Sequence, residues 1–82
     1  MYVRLENQIL LKTERIVGIF DLDNTTVSKQ TRDFLARKER EGMVKTLSNE
    51  LPKAFLLLNN GEIYITQLST ATIKKRIKIG IR

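Results

Sequence analysis

Ile16-Val17-Gly18-Ile19-Phe20-Asp21-Leu22-Asp23-Asn24-Thr25-Thr26 is the stretch whose reading decides the fold. Residues 16–20 are apolar apart from Gly18, and β-branched side chains dominate, as in a strand. An apolar run without alternation predicts a strand covered on both faces. Gly18 inside it predicts a bulge or a close approach by another backbone. From Asp21 to Thr26 the chain turns polar, and Asx-type bonds to the backbone are expected to end the strand there. Upstream, Thr13-Glu14-Arg15 is a polar break that fixes where the strand begins.

Working outward towards the N-terminus, Tyr2–Leu5 and Gln8–Lys12 read as two short strands around a tight turn at Glu6-Asn7. Towards the C-terminus, Ser28 to Glu41 forms the one long helical pattern, with Ser28 as N-cap and Gly42 just past the end. Its apolar stripe is thin. Thr31, Phe34, Leu35 and Lys38 share one face, and Lys29, Arg32, Arg37 and Arg40 leave a broad basic face in water. Met43–Leu47 reads as a short strand, followed by the loop Ser48–Lys53, which holds the only proline. Ala54–Leu58 is a buried strand by its continuous apolar run. Asn60-Gly61 predicts a type I′ hairpin turn, since both residues tolerate positive φ. In Glu62–Thr66 alternation places Ile63 and Ile65 inward, and a slip of register would turn Glu62 and Thr66 inward instead. Ser69 caps a short last helix from Thr70 to about Ile77, with Leu68 and Ile73 at the spacing of a hydrophobic staple. Lys78–Arg82 reads as a frayed end or an extra strand. Phe20, Phe34 and Phe55 are assigned to the core. The expected fold is α+β: a small, mostly antiparallel sheet with one main helix and a short C-terminal helix, in a single domain spanning 1–82.

Eighty-two residues support one small core, and a chain of this size buries only about 60–65% of its unfolded surface. There is no Cys and no His, which removes disulfides and ordinary zinc or haem sites. Oligomerisation is the remaining support for so small a core. No signal peptide or membrane span is expected, because Arg4, Glu6 and Lys12 interrupt the early apolar residues and the longest apolar run is Ala54–Leu58. A cytoplasmic protein is therefore expected. The formal charge is +6, and Lys74, Lys75, Arg76, Lys78 and Arg82 follow Gln67 with no acid among them. Such a balance favours polyanionic partners.

Asp21-Leu22-Asp23-Asn24-Thr25 also resembles the first motif of haloacid-dehalogenase phosphatases, which implies a nucleophilic Asp21 and a general acid/base Asp23. The rest of the sequence does not complete that site. The acids after residue 41 are Glu50 and Glu62, which do not supply an octahedral magnesium site. The length remaining after Asp23 does not supply a parallel sheet with crossover helices. Asp21 and Asp23 are assigned to ending the strand. No enzyme activity, cofactor, metal or small-molecule substrate is expected.

Met1-Tyr2, Thr13-Glu14-Arg15-Ile16-Val17-Gly18-Ile19-Phe20-Asp21, Pro52-Lys53-Ala54 and Leu68-Ser69-Thr70-Ala71-Thr72-Ile73-Lys74-Lys75-Arg76 together resemble the RemA/RemB family of bacterial extracellular-matrix regulators. The resemblance covers nearly the whole chain. It implies a fold related to the LytTR-type DNA-binding domain, subunits closed into a ring, a basic rim that binds DNA, and a link to biofilm extracellular-matrix gene expression. It also implies a DNA-contacting arginine before the third strand, which falls on Arg15. Where RemA-like members carry adjacent arginines before the next long strand, this chain has Glu50 and Leu51.

The candidate DNA-binding residues are therefore Arg15, Lys53, Lys74, Lys75 and Arg76. Each has a plainer alternative: a structural or interface arginine for Arg15, and helix-dipole charges for Lys74, Lys75 and Arg76. Arg32, Arg37 and Arg40 read as a solvated helix face, and Tyr2 and Tyr64 as packing or interface residues. The leading expectation is a non-enzymatic DNA-binding regulator acting as a homo-oligomeric ring on duplex phosphates. The alternative is an oligomeric scaffold with a protein partner and no direct DNA binding.

Overall fold

The computed structural model describes residues 1–22 and 28–79. Residues 23–26 of the turn expected at Asp21–Thr26 and residues 80–82 of the tail lie outside them. The architecture is α+β, with two sheets instead of one. Strands β1 (Tyr2–Arg4) and β2 (Leu10–Lys12) pair antiparallel as a small ribbon. Strands β3 (Ile16–Asp21), β4 (Val44–Thr46), β5 (Ala54–Leu58) and β6 (Ile63–Thr66) form a second sheet in the order β3-β5-β6-β4. The β3-β5 and β5-β6 pairs are antiparallel and β4-β6 is parallel. The helices are α1 (Lys29–Arg40) and α2 (Thr70–Ile79).

The two faces of β5 organise the molecule. Ala54, Leu56 and Leu58 point one way and join Val3, Leu5, Leu11, Leu47 and Ile73 in the buried core. The β1–β2 ribbon and α2 thus close over that face. Each fully buried Leu or Ile there contributes about 1.5–3 kcal/mol. Phe55 and Leu57 point the other way, where they line an open groove of about 230 Å³ with Phe20, Gln30, Thr31 and Phe34.

Both helix starts form as the capping residues dictate. The Ser28 hydroxyl accepts from the Thr31 amide at 3.1 Å, and the Ser69 hydroxyl accepts from the Thr72 amide at 3.1 Å. Gly42 follows α1 with a φ of 74°, the left-handed conformation that ends a helix. The third-strand glycine marks a bulge, because the β3-β5 register shifts between Ile16 and Gly18. A Cβ at Gly18 would stand 2.7 Å from the edge of the Phe20 ring.

Six local expectations are corrected. The connection between β1 and β2 is longer than a tight turn. Glu6–Gln8 form a 3-10 turn with Asn7 and Gln8 at positive φ, closed by the Leu5 amide donating to the Ile9 carbonyl at 2.7 Å. The β5-β6 hairpin exists, but its turn is not type I′, since of its residues only Gly61 has positive φ. The Gly61 amide donates to the Leu58 carbonyl and the Leu58 amide to the Glu62 carbonyl, as in a type I turn followed by a left-handed glycine.

Strand β3 is an edge of its sheet and is covered on one face only. Val17 is 63% exposed and Phe20 44% exposed. An unalternating apolar run also suits an edge strand whose outer residues meet a partner. Phe20 is thus not a core residue, although its ring stacks on that of buried Phe55 at 4.8 Å. Thr66, expected to face outward, is buried, and its hydroxyl accepts from the Leu68 amide at 3.0 Å. Both faces of β6 are covered, so a threonine that satisfies its own hydroxyl fits where alternation alone places it outside. Finally, the last helix extends to Ile79, so Lys78 and Ile79 belong to it instead of to a strand or frayed end.

Candidate nucleic-acid interface

Arg15 closes a 3-10 turn, Thr13–Arg15, immediately before β3. Its carbonyl accepts from the Asn59 amide at 2.8 Å, which binds this turn to the β5-β6 hairpin. Its guanidinium Nη2 lies 3.3 Å from Glu62 Oε1 in a half-buried ion pair. Asn60 fixes that carboxylate: its Nδ2 donates to the same oxygen, and its Oδ1 accepts from the Glu62 amide at 3.0 Å. One of the five guanidinium N–H donors is thereby used, and the others remain for an anion.

Lys53 stands at the opposite end of β5. Its amide donates to the Thr66 carbonyl and its carbonyl accepts from the Leu22 amide, so the backbone is held while the side chain is exposed. The β3-β5 register pairs Ile16 with Leu58 and Asp21 with Ala54. Arg15 and Lys53 are thus separated by the length of the strand, about 20 Å at 3.4 Å per residue. Beside Lys53, Glu50 and Leu51 are exposed, and Leu51 is 78% exposed.

Lys74, Lys75 and Arg76 are all exposed on α2. Ile73 is buried, and Ile77, one turn on, packs against the core. At about 100° per residue, the three cations fan around the remaining sides of the helix instead of forming one patch. Arg76 is the one held in place: its Nη1 donates to the Arg4 carbonyl at 2.9 Å. The candidate residues are therefore not one cluster.

On α1, Lys29 pairs with Asp33 and Lys38 with Glu41, each at 3.8 Å. Arg37 and Lys38 lie over the Phe34 ring at 5.6 and 5.9 Å. These cations serve the helix itself, in keeping with a solvated basic face. Lys45 sits over the Tyr64 ring at 5.9 Å, which gives Tyr64 a packing role. The Glu14 carboxyl is held below the usual glutamate range, first by the Thr13 hydroxyl at 2.8 Å and then by the N-terminal ammonium at 3.2 Å.

Two exposed cations were not singled out by motif or resemblance. Arg4 and Lys12 lie on the outer face of the β1–β2 ribbon, where the signal for them is the alternation of exposed and buried residues along each strand. For the phosphatase-like motif, Asp21 is an exposed residue ending β3, and Asp23 lies outside the described residues. Among the described residues, no three His, Cys, Asp or Glu side chains form a group able to hold a metal ion. No helix among them is long and apolar enough to cross a membrane.

No protein-family model matches the chain. It is, however, 34% identical over 76 residues to Extracellular matrix regulatory protein B of Bacillus subtilis (strain 168), and the match covers 93% of this chain and 89% of that protein. The chain belongs to the extracellular matrix regulatory protein B family. Membership rests on a match over nearly the full length of both proteins.

Proposed function

We propose that this protein is a non-enzymatic, cytoplasmic regulator that binds duplex DNA through its phosphates as a homo-oligomeric ring and acts on extracellular-matrix gene expression. The observation that carries this reading is the acid-free α2, whose Lys74, Lys75, Arg76 and Lys78 are exposed without a carboxylate partner among the described residues, in a chain of net charge +6. Cations without a carboxylate partner release counterions when they meet phosphates, and that release drives binding. The name of the Bacillus subtilis relative supports the regulatory part of the reading.

The oligomeric part has its own support. Among the described residues no strand neighbours the outer edge of β3, and Val17 and Phe20 beside it are exposed. Edge strands of this kind are stabilised and protected when a second subunit covers them. A ring also repeats each weak phosphate contact, so a few contacts per subunit give tight binding overall.

The test is a fluorescence-anisotropy titration of a labelled duplex with protein of known oligomeric state. Affinity is expected to fall by about a thousandfold or more between about 50 and 200 mM salt if six or more phosphates are contacted. Absence of binding at the lower salt, by protein shown to be oligomeric, overturns the reading.

A second reading, an oligomeric scaffold with a protein partner, is favoured by one observation: Leu51 is 78% exposed on the loop before β5, beside exposed Glu50. An exposed leucine next to an acid suits a protein surface better than a phosphate. Capture of a partner from lysate that survives nuclease treatment would select this reading over the first.

A further inference from the structure

The ribbon β1–β2 presents a face that none of the preceding sites uses. Its register pairs Tyr2 with Lys12, Val3 with Leu11 and Arg4 with Leu10. The middle pair is buried against the core, with Val3 at 0% and Leu11 at 2% exposure. The other four side chains therefore stand on the outer face, where Tyr2 is 40% and Leu10 51% exposed and both cations are exposed. Arg4 and Lys12 occupy one diagonal of this face, and Tyr2 and Leu10 the other. Arg76 stands beside Arg4, since its Nη1 donates to the Arg4 carbonyl at 2.9 Å.

Among the described residues no acid pairs with these groups. The two carboxylates that follow β1 and β2 in sequence are engaged elsewhere. Glu6 Oε1 accepts from the Gln67 amide at 3.0 Å, and Glu14 accepts from the Met1 ammonium and the Thr13 hydroxyl. No ion pair involves Arg4, Lys12 or Arg76 among the described residues.

We infer that the outer face of the β1–β2 ribbon, with Arg4, Lys12 and Arg76, is a DNA-contacting surface that grips the phosphate backbone of a duplex. The inference rests on the DNA-binding reading above and adds the surface. Three considerations select this partner. A two-stranded ribbon has no walls to enclose a small anion, so an extended polyanion is the anion it fits. A two-stranded ribbon is also narrow enough to lie along the major groove of B-DNA, about 12 Å wide, with its edge cations at the flanking phosphates. An anionic lipid surface suits the face less well, because membrane-surface elements separate an apolar side from a cationic one, and here the two kinds alternate. Tyr2 and Leu10 then lie between the cations against sugar and groove wall.

The experiment compares the full chain with Arg4→Gln/Lys12→Gln and with Lys29→Gln/Arg32→Gln, which removes the same charge from α1. Each is titrated against one labelled duplex over a salt series, with circular dichroism and light scattering to verify fold and assembly. The ribbon variant is expected to lose at least tenfold in affinity and to lower the salt slope by about 0.9 for each phosphate contact removed. The α1 variant is expected to lose far less. Equal losses in both variants, or none in the ribbon variant, overturn the inference while leaving the DNA reading intact. Dissociation of the oligomer in the ribbon variant alone also overturns it, by making the face a subunit contact. No binding by the parent protein overturns both. Ribbon-dependent binding to phosphatidylserine vesicles, without a ribbon effect on DNA, overturns the inference in favour of a membrane.

Discussion

The guanidinium of Arg15 and the carboxylate of Glu62 meet 3.3 Å apart at the end of the sheet where β3 begins and the β5-β6 hairpin turns. The two residues are 47 positions apart in sequence, and neither is deeply buried, with side-chain exposures of 34% and 35%. A pair so exposed is worth only about 0.2–1 kcal/mol to folding. Its larger consequence is electrostatic. A carboxylate beside Arg15 competes with any phosphate that approaches it, and Asn60 holds that carboxylate in place.

Glu62→Gln is therefore expected to raise affinity for duplex DNA, by roughly fivefold if about 1 kcal/mol of competing attraction is removed. Arg15→Ala is expected to weaken binding and to reduce the salt slope by about one for each subunit in contact. Anisotropy titrations across a salt series read both effects. If the two variants bind as the parent does, Arg15 is a structural residue that ties the third strand to the hairpin, and its carbonyl bond to Asn59 becomes its main role.

Thr66 gives a prediction about the core. It is 1% exposed, and its hydroxyl satisfies the Leu68 amide where the chain leaves β6 for α2. Thr66→Val keeps the shape and leaves that amide without its partner. A loss of about 1–3 kcal/mol is expected, or a melting temperature lower by about 4–8 °C for each kcal/mol in a domain of this size. Thr66→Ser, which retains the hydroxyl, should restore part of the loss; an equal effect from both would assign it to the missing methyl.

Sequence reading located the strands and helices because local signals sufficed for them. Ser28, Gly42 and Ser69 act within their own turns, and Ala54–Leu58 announces a buried strand by composition. Two of the misreadings depend on what lies across space. Whether Ile16–Phe20 is covered on one face or two is decided by its position at the edge of the sheet. Thr66 is buried because both faces of β6 are covered, and alternation within one strand does not encode that. The hairpin turn departs from type I′ because Asn60 uses its side chain to hold Glu62, with its own backbone outside the left-handed region. At the candidate interface, Arg15 was legible from resemblance, but its carboxylate partner was not, since Glu62 reaches it only through the β3-β5-β6 pairing. For Arg4 and Lys12 the alternation is legible, but a charge that alternates with apolar residues in a short strand reads as ordinary solvation unless the opposite face is buried.

Phe20 tests the oligomer. Its ring stacks on Phe55 and is 44% exposed at the edge strand, beside a groove that α1 leaves half open. Phe20→Lys is expected to dissociate the assembly while leaving the subunit folded, because the buried core lies on the other face of the sheet. Light scattering reads the mass. The melting temperature of the parent should rise with protein concentration, and that of the variant should not. An intact oligomer in the variant would remove this face from consideration as the subunit contact.

Gly18 tests whether the bulge and the Phe20 ring depend on each other. A methyl group at this position would stand 2.7 Å from Phe20 Cε2 and 2.9 Å from Cζ. Both atoms belong to the far end of a partly exposed ring, so the ring can swing aside and the backbone need not move. The stack on Phe55 is then lost, at a cost of about 0.5–1.5 kcal/mol. Gly18→Ala is thus expected to lower stability by about 1 kcal/mol, measured by urea denaturation of the monomeric Phe20→Lys background and of the parent. In the Phe20→Lys background the clash with the ring is absent, so the glycine substitution should cost less there. An equal cost in both backgrounds would place its origin in the bulged backbone at Ile16–Gly18 and not in the ring. In the parent, displacement of Phe20 should also weaken the assembly. A Gly18→Ala protein that is less stable yet assembles with unchanged affinity would show that Phe20 is not part of the subunit contact, whatever the result with lysine in its place.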